Sequence, residues 1–176
     1  MMIFNEHLDR LMEVQIVKDF VQHHRMQAKM CIDDDNYSFV LYRYPYVIVF
    51  WDALIENYLE MWFFEFGSGL MIRASTLSGV CLDMHLQNIE ELCHKNLDHH
   101  AQNSIFLSDS STKMFCLYEH LEAIDKLLPL IEAKGGLTSM RDGTFDNRFN
   151  FSDCIQPIPH IFKERYNKCL GFPVSP

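Results

Sequence analysis

The sequence predicts an α+β fold: a twisted, mainly antiparallel sheet with three helices, plus a C-terminal extension. The first observation is the stretch 46–66, which contains two runs of strand length that are rich in β-branched and aromatic residues. The second is that apolar residues recur at helical spacing before this stretch, after it and again near residue 128. The predicted order along the chain is therefore helix, strands, helix, strands, helix.

The opening segment, from about Ile3 to His24, is predicted to form an amphipathic helix. One ridge of apolar residues recurs at every fourth position, and a ridge of valines lies beside it. This apolar arc is wider than a helix resting on one sheet requires, so the valine ridge either shares the core or is left for a partner. The two ridges are Leu8, Met12, Ile16 and Phe20, and Val14, Val17 and Val21.

Two hairpins are predicted to follow the opening helix. In the first, the polar residues 33–36 separate the extended runs 29–32 and 37–44. The second is the stretch 46–66, whose strands are joined by residues 52–57. Both of its strands carry large apolar side chains on both faces, which indicates a sheet that is covered on two sides. Two interpretations stay open: a plain sheet core, or a sheet with one face used for binding.

A second helix is predicted from about Cys81 to His100, where apolar residues form one narrow stripe. The stretch before it, residues 70–79, is either a loop or a short extra strand. Leu86, Ile89 and Cys93 of the stripe are the predicted contact between two copies of the chain, related by a two-fold axis. The sequence thus predicts a homodimer.

Two short strands and a third helix are predicted to follow the second helix. The strands are 104–107 and 113–117, and the helix runs from about Glu119 to Lys134. Pro129 is expected to kink or shorten this helix, and Gly135 and Gly136 are expected to end it. The residues predicted to face inward are Leu121, Ile124, Leu128 and Ile131.

Composition and charge limit the classes of function. Hydrophobic residues make up 48% of the chain, which is more than a small monomer easily hides and favours oligomerisation. The net charge is −9 and the acidic excess lies in residues 1–134, so nucleic acid is an unfavourable partner and a basic polypeptide segment a favourable one. Six cysteines without a CxxC pair predict buried free thiols in a reducing cytosol. With no signal peptide and no membrane-spanning run, the expectation is a cytoplasmic protein.

The sequence offers few groups for catalysis or metal binding. Cys93 and His94 point about 100° apart on one helix, so with His99 and His100 they make a poor tetrahedral zinc set. The aspartates at 33–35 lack the glycine and the spacing of a calcium-binding loop. A thiol nucleophile paired with a histidine stays open, but nothing singles out one pair. No nucleotide-binding or acyl-transfer motif is present, and the prediction is no enzyme, no metal and no cofactor.

Residues 3–134 together resemble the Tir chaperone family, the small acidic class I chaperones of bacterial type III secretion. The resemblance rests on an ordered pattern of opening helix, acidic hairpin turn, aromatic hairpin, leucine-and-asparagine helix and final hairpin. After the opening helix, the stretches that carry it are MCIDDDNYSFVL, VIVFWDALIENYLEMWFFEF, NIEELCHKNL and SIFLSDSSTKMFCLYEHL.

The resemblance implies a homodimeric, non-enzymatic chaperone of the bacterial cytoplasm. Such a protein binds an extended N-terminal segment of a secreted effector and keeps it competent for secretion, with the segment adding a strand to a sheet edge. The predicted effector-binding residues are Val14, Val17, Val21, Ile48, Phe50, Trp62 and Phe64. One alternative is an interaction or inhibitor domain that acts on a folded partner, and a further one is a cysteine-dependent enzyme.

The chain is predicted to divide into a chaperone-like domain, residues 1–136, and a C-terminal extension, residues 137–176. The extension lies beyond the usual end of the family. Its aromatic residues predict an ordered segment that packs on or beside the domain. It either caps the chain's own sheet or occupies the groove where an effector would lie.

Overall fold

The structure of the chain, a computed structural model, describes residue 8 and residues 10–53, 58–74, 111–142 and 154–172. These residues form a six-stranded antiparallel sheet, in which the strands neighbour each other in chain order, together with four α-helices. The predicted α+β fold is therefore confirmed. The strands are β1 (Gln27–Asp33), β2 (Asn36–Arg43), β3 (Tyr46–Ala53), β4 (Tyr58–Glu65), β5 (Leu70–Arg73) and β6 (Ile155–Pro157). The helices are α1 (Gln15–His24), α2 (Ser111–Ala133), α3 (Leu137–Arg141) and α4 (His160–Leu170), with a 3-10 turn at Arg10–Glu13.

The two hairpins predicted directly after the opening helix are both present. The turn between β1 and β2 has two residues, since Asp33 pairs with Asn36, and Asp34 takes a positive φ of 53° there. Aspartate is one of the few residues other than glycine that adopts this backbone conformation readily. β3 and β4 form the aromatic hairpin, and the open question about residues 70–79 is answered in part by the short strand β5.

The sheet is covered on both faces, as its aromatic strands predicted. We call the two faces inner and outer. The inner face, which carries Ile48, Phe50 and Phe63, packs against α1, α2 and α3 in the larger core. The outer face, which carries Val49 and Phe64, packs against α4 in a smaller core. Residues of the predicted extension thus supply α3, the sixth strand and the helix that covers the outer face.

The opening helix is shorter than predicted. Val14 has an extended backbone, with φ −80° and ψ 128°, and separates the 3-10 turn from α1. A continuous helix through this position is therefore wrong. The interruption lets Leu11 and Val14 both reach the inner core, where each is at most 1% exposed. Residues 3–7 and 9 of the predicted helix lie outside the described residues.

The third predicted helix begins earlier and is not shortened by its proline. Residues 113–117, predicted as a strand, belong to α2. Short apolar runs fit a strand or a buried helix equally well, which explains the error. The helix continues past Pro129 to Ala133, and Pro129 lies on its exposed side. The four residues predicted to face inward are buried, as expected: Leu121, Ile124, Leu128 and Ile131.

The predicted end of this helix at two glycines is confirmed. The Gly136 N–H donates to the Ile131 carbonyl at 2.8 Å, and the Gly135 N–H donates to the Glu132 carbonyl at 3.2 Å, the pattern of a Schellman motif. Gly136 then packs on the buried carboxylate of Glu65, which also accepts the Leu137 N–H at 3.1 Å. A Cβ on Gly136 would lie 2.8 Å from Glu65 Oε2, and its φ is 111°. Only glycine fits this junction between α2 and α3.

We therefore expect Gly136→Ala to lower the free energy of unfolding by roughly 2–4 kcal/mol, from left-handed strain and overpacking together. Gly69→Ala is the matched control, because Gly69 has a φ of 73° and, chain neighbours aside, no atom of the described residues lies within 4 Å of an added Cβ. Its loss should be about 1 kcal/mol. Urea unfolding measures both variants, and equal losses would contradict the role of the Glu65 contact.

Candidate functional site

The valine ridge of α1, predicted to be left for an effector, lies in the inner core instead. Val14 and Val17 are 1% and 0% exposed, and Val21 is half-buried against the same core. The prediction of a free ridge is wrong because Val17 shares the buried face of α1 with Phe20 and His24, at spacings of three and four. An effector segment could contact Val14 or Val17 only if α1 moved off the sheet.

The four predicted effector-binding residues of the sheet do not form one surface. β3 and β4 pair Val49 with Trp62, so Trp62 shares the outer face with Val49, whereas Ile48 lies on the inner face. Ile48 and Phe50 are completely buried under the helices, and Phe64 is completely buried under α4. The prediction that these four residues line one face is wrong. The register between β3 and β4 decides which side chains share a face, and a shift of one residue moves every side chain of a strand to the opposite face.

The outer face carries an aromatic cluster that α4 covers. Trp51 and Trp62 stack with ring centroids 5.9 Å apart, and Phe162 of α4 lies 6.3 Å from each. The Arg73 guanidinium lies over the Trp62 ring at 5.6 Å. Among the described residues, no acceptor lies within hydrogen-bond distance of the buried Trp62 indole N–H. Of the two roles considered for the extension, its helix takes the first and caps the chain's own sheet.

Polar contacts hold α4 on the sheet as well. Tyr166 is 1% exposed, and its hydroxyl donates a hydrogen bond to Ser38 Oγ at 3.1 Å. The Arg165 guanidinium pairs with the Asp33 carboxylate at 3.2 Å, next to the acidic turn. Burial raises the pKa of the Tyr166 hydroxyl above its usual range, so this group stays a neutral donor at physiological pH.

A disulfide between Cys31 of β1 and Cys169 of α4 links the helix covalently to the sheet. Lys29 Nζ adds a hydrogen bond to the Cys169 carbonyl at 2.7 Å. The prediction of free thiols is wrong for these two cysteines, because their pairing across 138 residues depends on the fold and leaves no spacing signature. Disulfides persist in oxidising compartments and are rare in the cytosol, so the cysteines no longer favour a reducing compartment.

β1 forms one edge of the sheet. Within the described ranges it pairs only with β2. The two-residue turn makes Asp33 and Asn36 a hydrogen-bonded pair, so Ile32 and Met30 direct their N–H and C=O groups away from β2. The Ile32 side chain is 65% exposed. This edge has the backbone groups and the apolar contact that an added strand requires.

The β1–β2 turn gives this edge a negative charge. Asp34 and Asp35 are exposed, whereas Asp33 is engaged by Arg165. The two exposed carboxylates lie directly after the open strand, where they would attract a basic residue on an incoming segment. The edge therefore combines an apolar contact at Ile32 with an acidic end.

A second polar cluster lies between α1 and α2. His24 Nε2 lies 2.7 Å from Asp125 Oδ1, and the exposed His23 ring lies edge-on to the His24 ring at 4.7 Å. His24 itself is buried. Among the described residues these three are the set that could hold a metal ion. The sequence shows the adjacent histidines at a helix end, but nothing in it brings Asp125 to them.

The predicted dimer contact lies outside the described residues, and so do the second predicted helix and the strand 104–107. Leu86, Ile89 and Cys93 therefore stay a prediction. No helix in the described part of the chain is both long and apolar enough to cross a membrane.

Comparisons of the chain with protein-family models, with curated proteins and with solved structures found no match. The resemblance to the Tir chaperone family consequently stays a prediction.

Proposed function

We propose that the protein binds an extended polypeptide segment as an added strand along β1, and that it acts in this way as a dimeric chaperone of a secreted effector. The open edge of β1 carries the proposal. Backbone groups at Met30 and Ile32 point away from β2, and a peptide strand would satisfy them while its own backbone is satisfied in return. Binding of an extended segment in this way makes and breaks no covalent bond, so the proposal assigns no catalytic residue and no cofactor.

Side chains around the edge define the segment that fits. Ile32 is paired with the half-buried Tyr37 of β2, and together they offer an apolar contact for one side chain of the segment. Asp34 and Asp35 favour a basic residue near the turn. The site therefore suits a segment in which an apolar residue and a basic residue follow each other closely. The proposed effector-binding site thus moves from the valine ridge to the sheet edge.

As a type III secretion chaperone, the protein would work in the bacterial cytoplasm. Its homodimer would form through the stripe of Leu86, Ile89 and Cys93, and each copy would bind one segment at β1. The effector would remain extended until export.

The disulfide favours a second candidate function. A bond between Cys31 and Cys169 persists in an oxidising compartment, where an interaction or inhibitor domain that binds a folded partner would work. Such a domain would use the same edge, but it would pair β1 with an edge strand of the folded partner. The two candidates differ in whether the partner is recognised when unfolded.

We expect Ile32→Pro to weaken segment binding about tenfold or more, because proline removes one outward N–H and obstructs the added strand. The strand itself should survive, since proline is tolerated on a sheet edge where the N–H faces solvent. Ile32→Thr is the matched control, as it keeps the N–H and the branched shape. Calorimetric titration with the N-terminal fragment of a polypeptide that co-purifies with the tagged chain measures both.

Equal affinities of the two variants, with equal melting temperatures, would remove β1 from the site. A partner that binds only when folded would favour the second candidate over the chaperone.

A further inference from the structure

The geometry points to a binding site for a divalent transition-metal ion such as Zn²⁺, formed by His23 and His24 at the end of α1 and Asp125 of α2. One ligand atom from each residue lies within 4.8 Å of the other two. Two imidazoles and one carboxylate are a donor set that Zn²⁺ accepts, and an open fourth position is then left for water. This site is separate from the β1 edge and does not depend on the proposed function.

The distances require only a small rearrangement to enclose an ion. Ligands that bind Zn²⁺ at about 2.0–2.1 Å in a tetrahedron are separated from one another by roughly 3.3 Å. The 2.7 Å separation of His24 Nε2 and Asp125 Oδ1 is shorter than this, so the two atoms would move slightly apart as the ion replaces the hydrogen-bonded proton. His23 is exposed and can rotate to complete the set.

The electrostatics of the cleft favour a cation. The cluster borders a cleft of about 340 Å³ that Asp19 and Glu122 also line. Three carboxylate residues, Asp19, Glu122 and Asp125, line this cleft, whereas no lysine or arginine of the described residues does. A bound cation would reduce the repulsion between these carboxylates.

The helix end contributes in the same direction. The last carbonyl groups of α1 form the negative end of the helix dipole, although those of Val21 and Gln22 accept the Met26 and Arg25 N–H groups at 2.9 Å and 3.4 Å. Arg43 Nε donates to the His24 carbonyl at 2.9 Å, but the Arg43 guanidinium is also paired with Glu132 at 2.9 Å, so its charge is shared.

An ordinary histidine–carboxylate contact elsewhere in the chain shows what distinguishes the cluster. His160 and Glu164 lie 2.9 Å apart on the exposed side of α4, one turn from each other on the same helix. That pair offers two ligands, whereas the cluster between α1 and α2 offers three from two helices, with His24 buried among them. An ion held there would join α1 to α2, and so it would also stabilise the fold.

Equilibrium dialysis of the full chain against Zn²⁺, with metal analysis of the protein, tests the proposal. We expect the parent to bind one zinc equivalent, and His23→Gln and Asp125→Asn to bind it at least about a hundredfold more weakly. Loss of a residue that only supports a metal ligand already lowers the metal affinity 10–100-fold, and these variants lose a ligand itself. His160→Gln should bind like the parent. His24 is left unchanged because its replacement in the core could unfold the protein.

Two further measurements make the result specific. Zn²⁺ should raise the melting temperature of the parent and of His160→Gln, but not that of the other two variants. Co²⁺ in place of Zn²⁺ should give the visible absorption of a low-symmetry site only where His23 and Asp125 are both present. Zinc that remains on every variant would lie at other histidines or cysteines and would overturn the proposal, as would a parent without a saturable zinc equivalent.

Discussion

Removal of residues 159–176 is expected to abolish cooperative unfolding and to leave a chain that binds the dye ANS. The truncation deletes α4, which covers the completely buried Val49 and Phe64 on the outer face. Each large apolar side chain that loses its cover forfeits roughly 1.5–3 kcal/mol. Several such losses approach the whole stability of a small domain, about 5–15 kcal/mol.

A graded pair of variants separates packing from hydrogen bonding at this helix. Tyr166→Ala should cost roughly 3–5 kcal/mol, because it leaves a cavity under α4. Tyr166→Phe should cost only about 1 kcal/mol, because it removes the hydrogen bond to Ser38 and keeps the ring. Urea unfolding measures the variants, and near-UV circular dichroism follows the outer aromatic cluster. A truncated chain with the melting temperature of the parent would show that α4 is an appendage.

Reduction of the bond between Cys31 and Cys169 is expected to lower the free energy of unfolding by up to about 5 kcal/mol. In the chain-entropy account, a cross-link restricts the unfolded chain more strongly the longer the loop it closes, about 4.7 kcal/mol for 100 residues. Here the two cysteines are separated by 138 residues. Strain in the folded state or residual structure in the unfolded chain would reduce the effect.

Cys31→Ser supplies the control for this experiment. The parent should unfold at a lower urea concentration when a reductant is added, whereas the variant should unfold at that lower concentration with or without it. Thiol titration of the denatured protein, purified without reductant, counts the cysteines that are not bonded. A parent whose unfolding is insensitive to reductant while its Cys31 and Cys169 are oxidised would contradict the stabilising role of the bond. If that titration found Cys31 and Cys169 as free thiols, the result would contradict the bond itself.

The parts of the fold that could be predicted from the sequence depend on neighbours in the chain. The acidic turn after β1 and the glycines after α2 act through local backbone preferences, and both are confirmed. The alternation of side chains in β3 and β4 is likewise local, because successive side chains of a strand point to opposite faces. These signals indicate the elements and their approximate bounds.

The parts that could not be predicted depend on contacts between distant residues. Which face of β3 meets Trp62 depends on the pairing of two strands, and the burial of Val17 depends on how α1 rests on the sheet. The contact between His24 and Asp125 joins residues 101 positions apart. The candidate β1 edge could be placed as a strand from the sequence, but its position at the rim of the sheet could not.

The cover of the outer face by α4 also has a consequence for synthesis. The first five strands are complete once residue 73 has been made, but α4 ends at residue 170, roughly a hundred residues later. At ribosomal speeds of about 5–20 residues per second, several seconds to about twenty seconds pass between these two points. During that interval the nascent chain carries Trp51, Trp62 and Phe64 without their final cover. The outer face of the sheet therefore gains its cover only after α4 has been made, and until then these aromatic side chains are open to contact with the cell's folding factors.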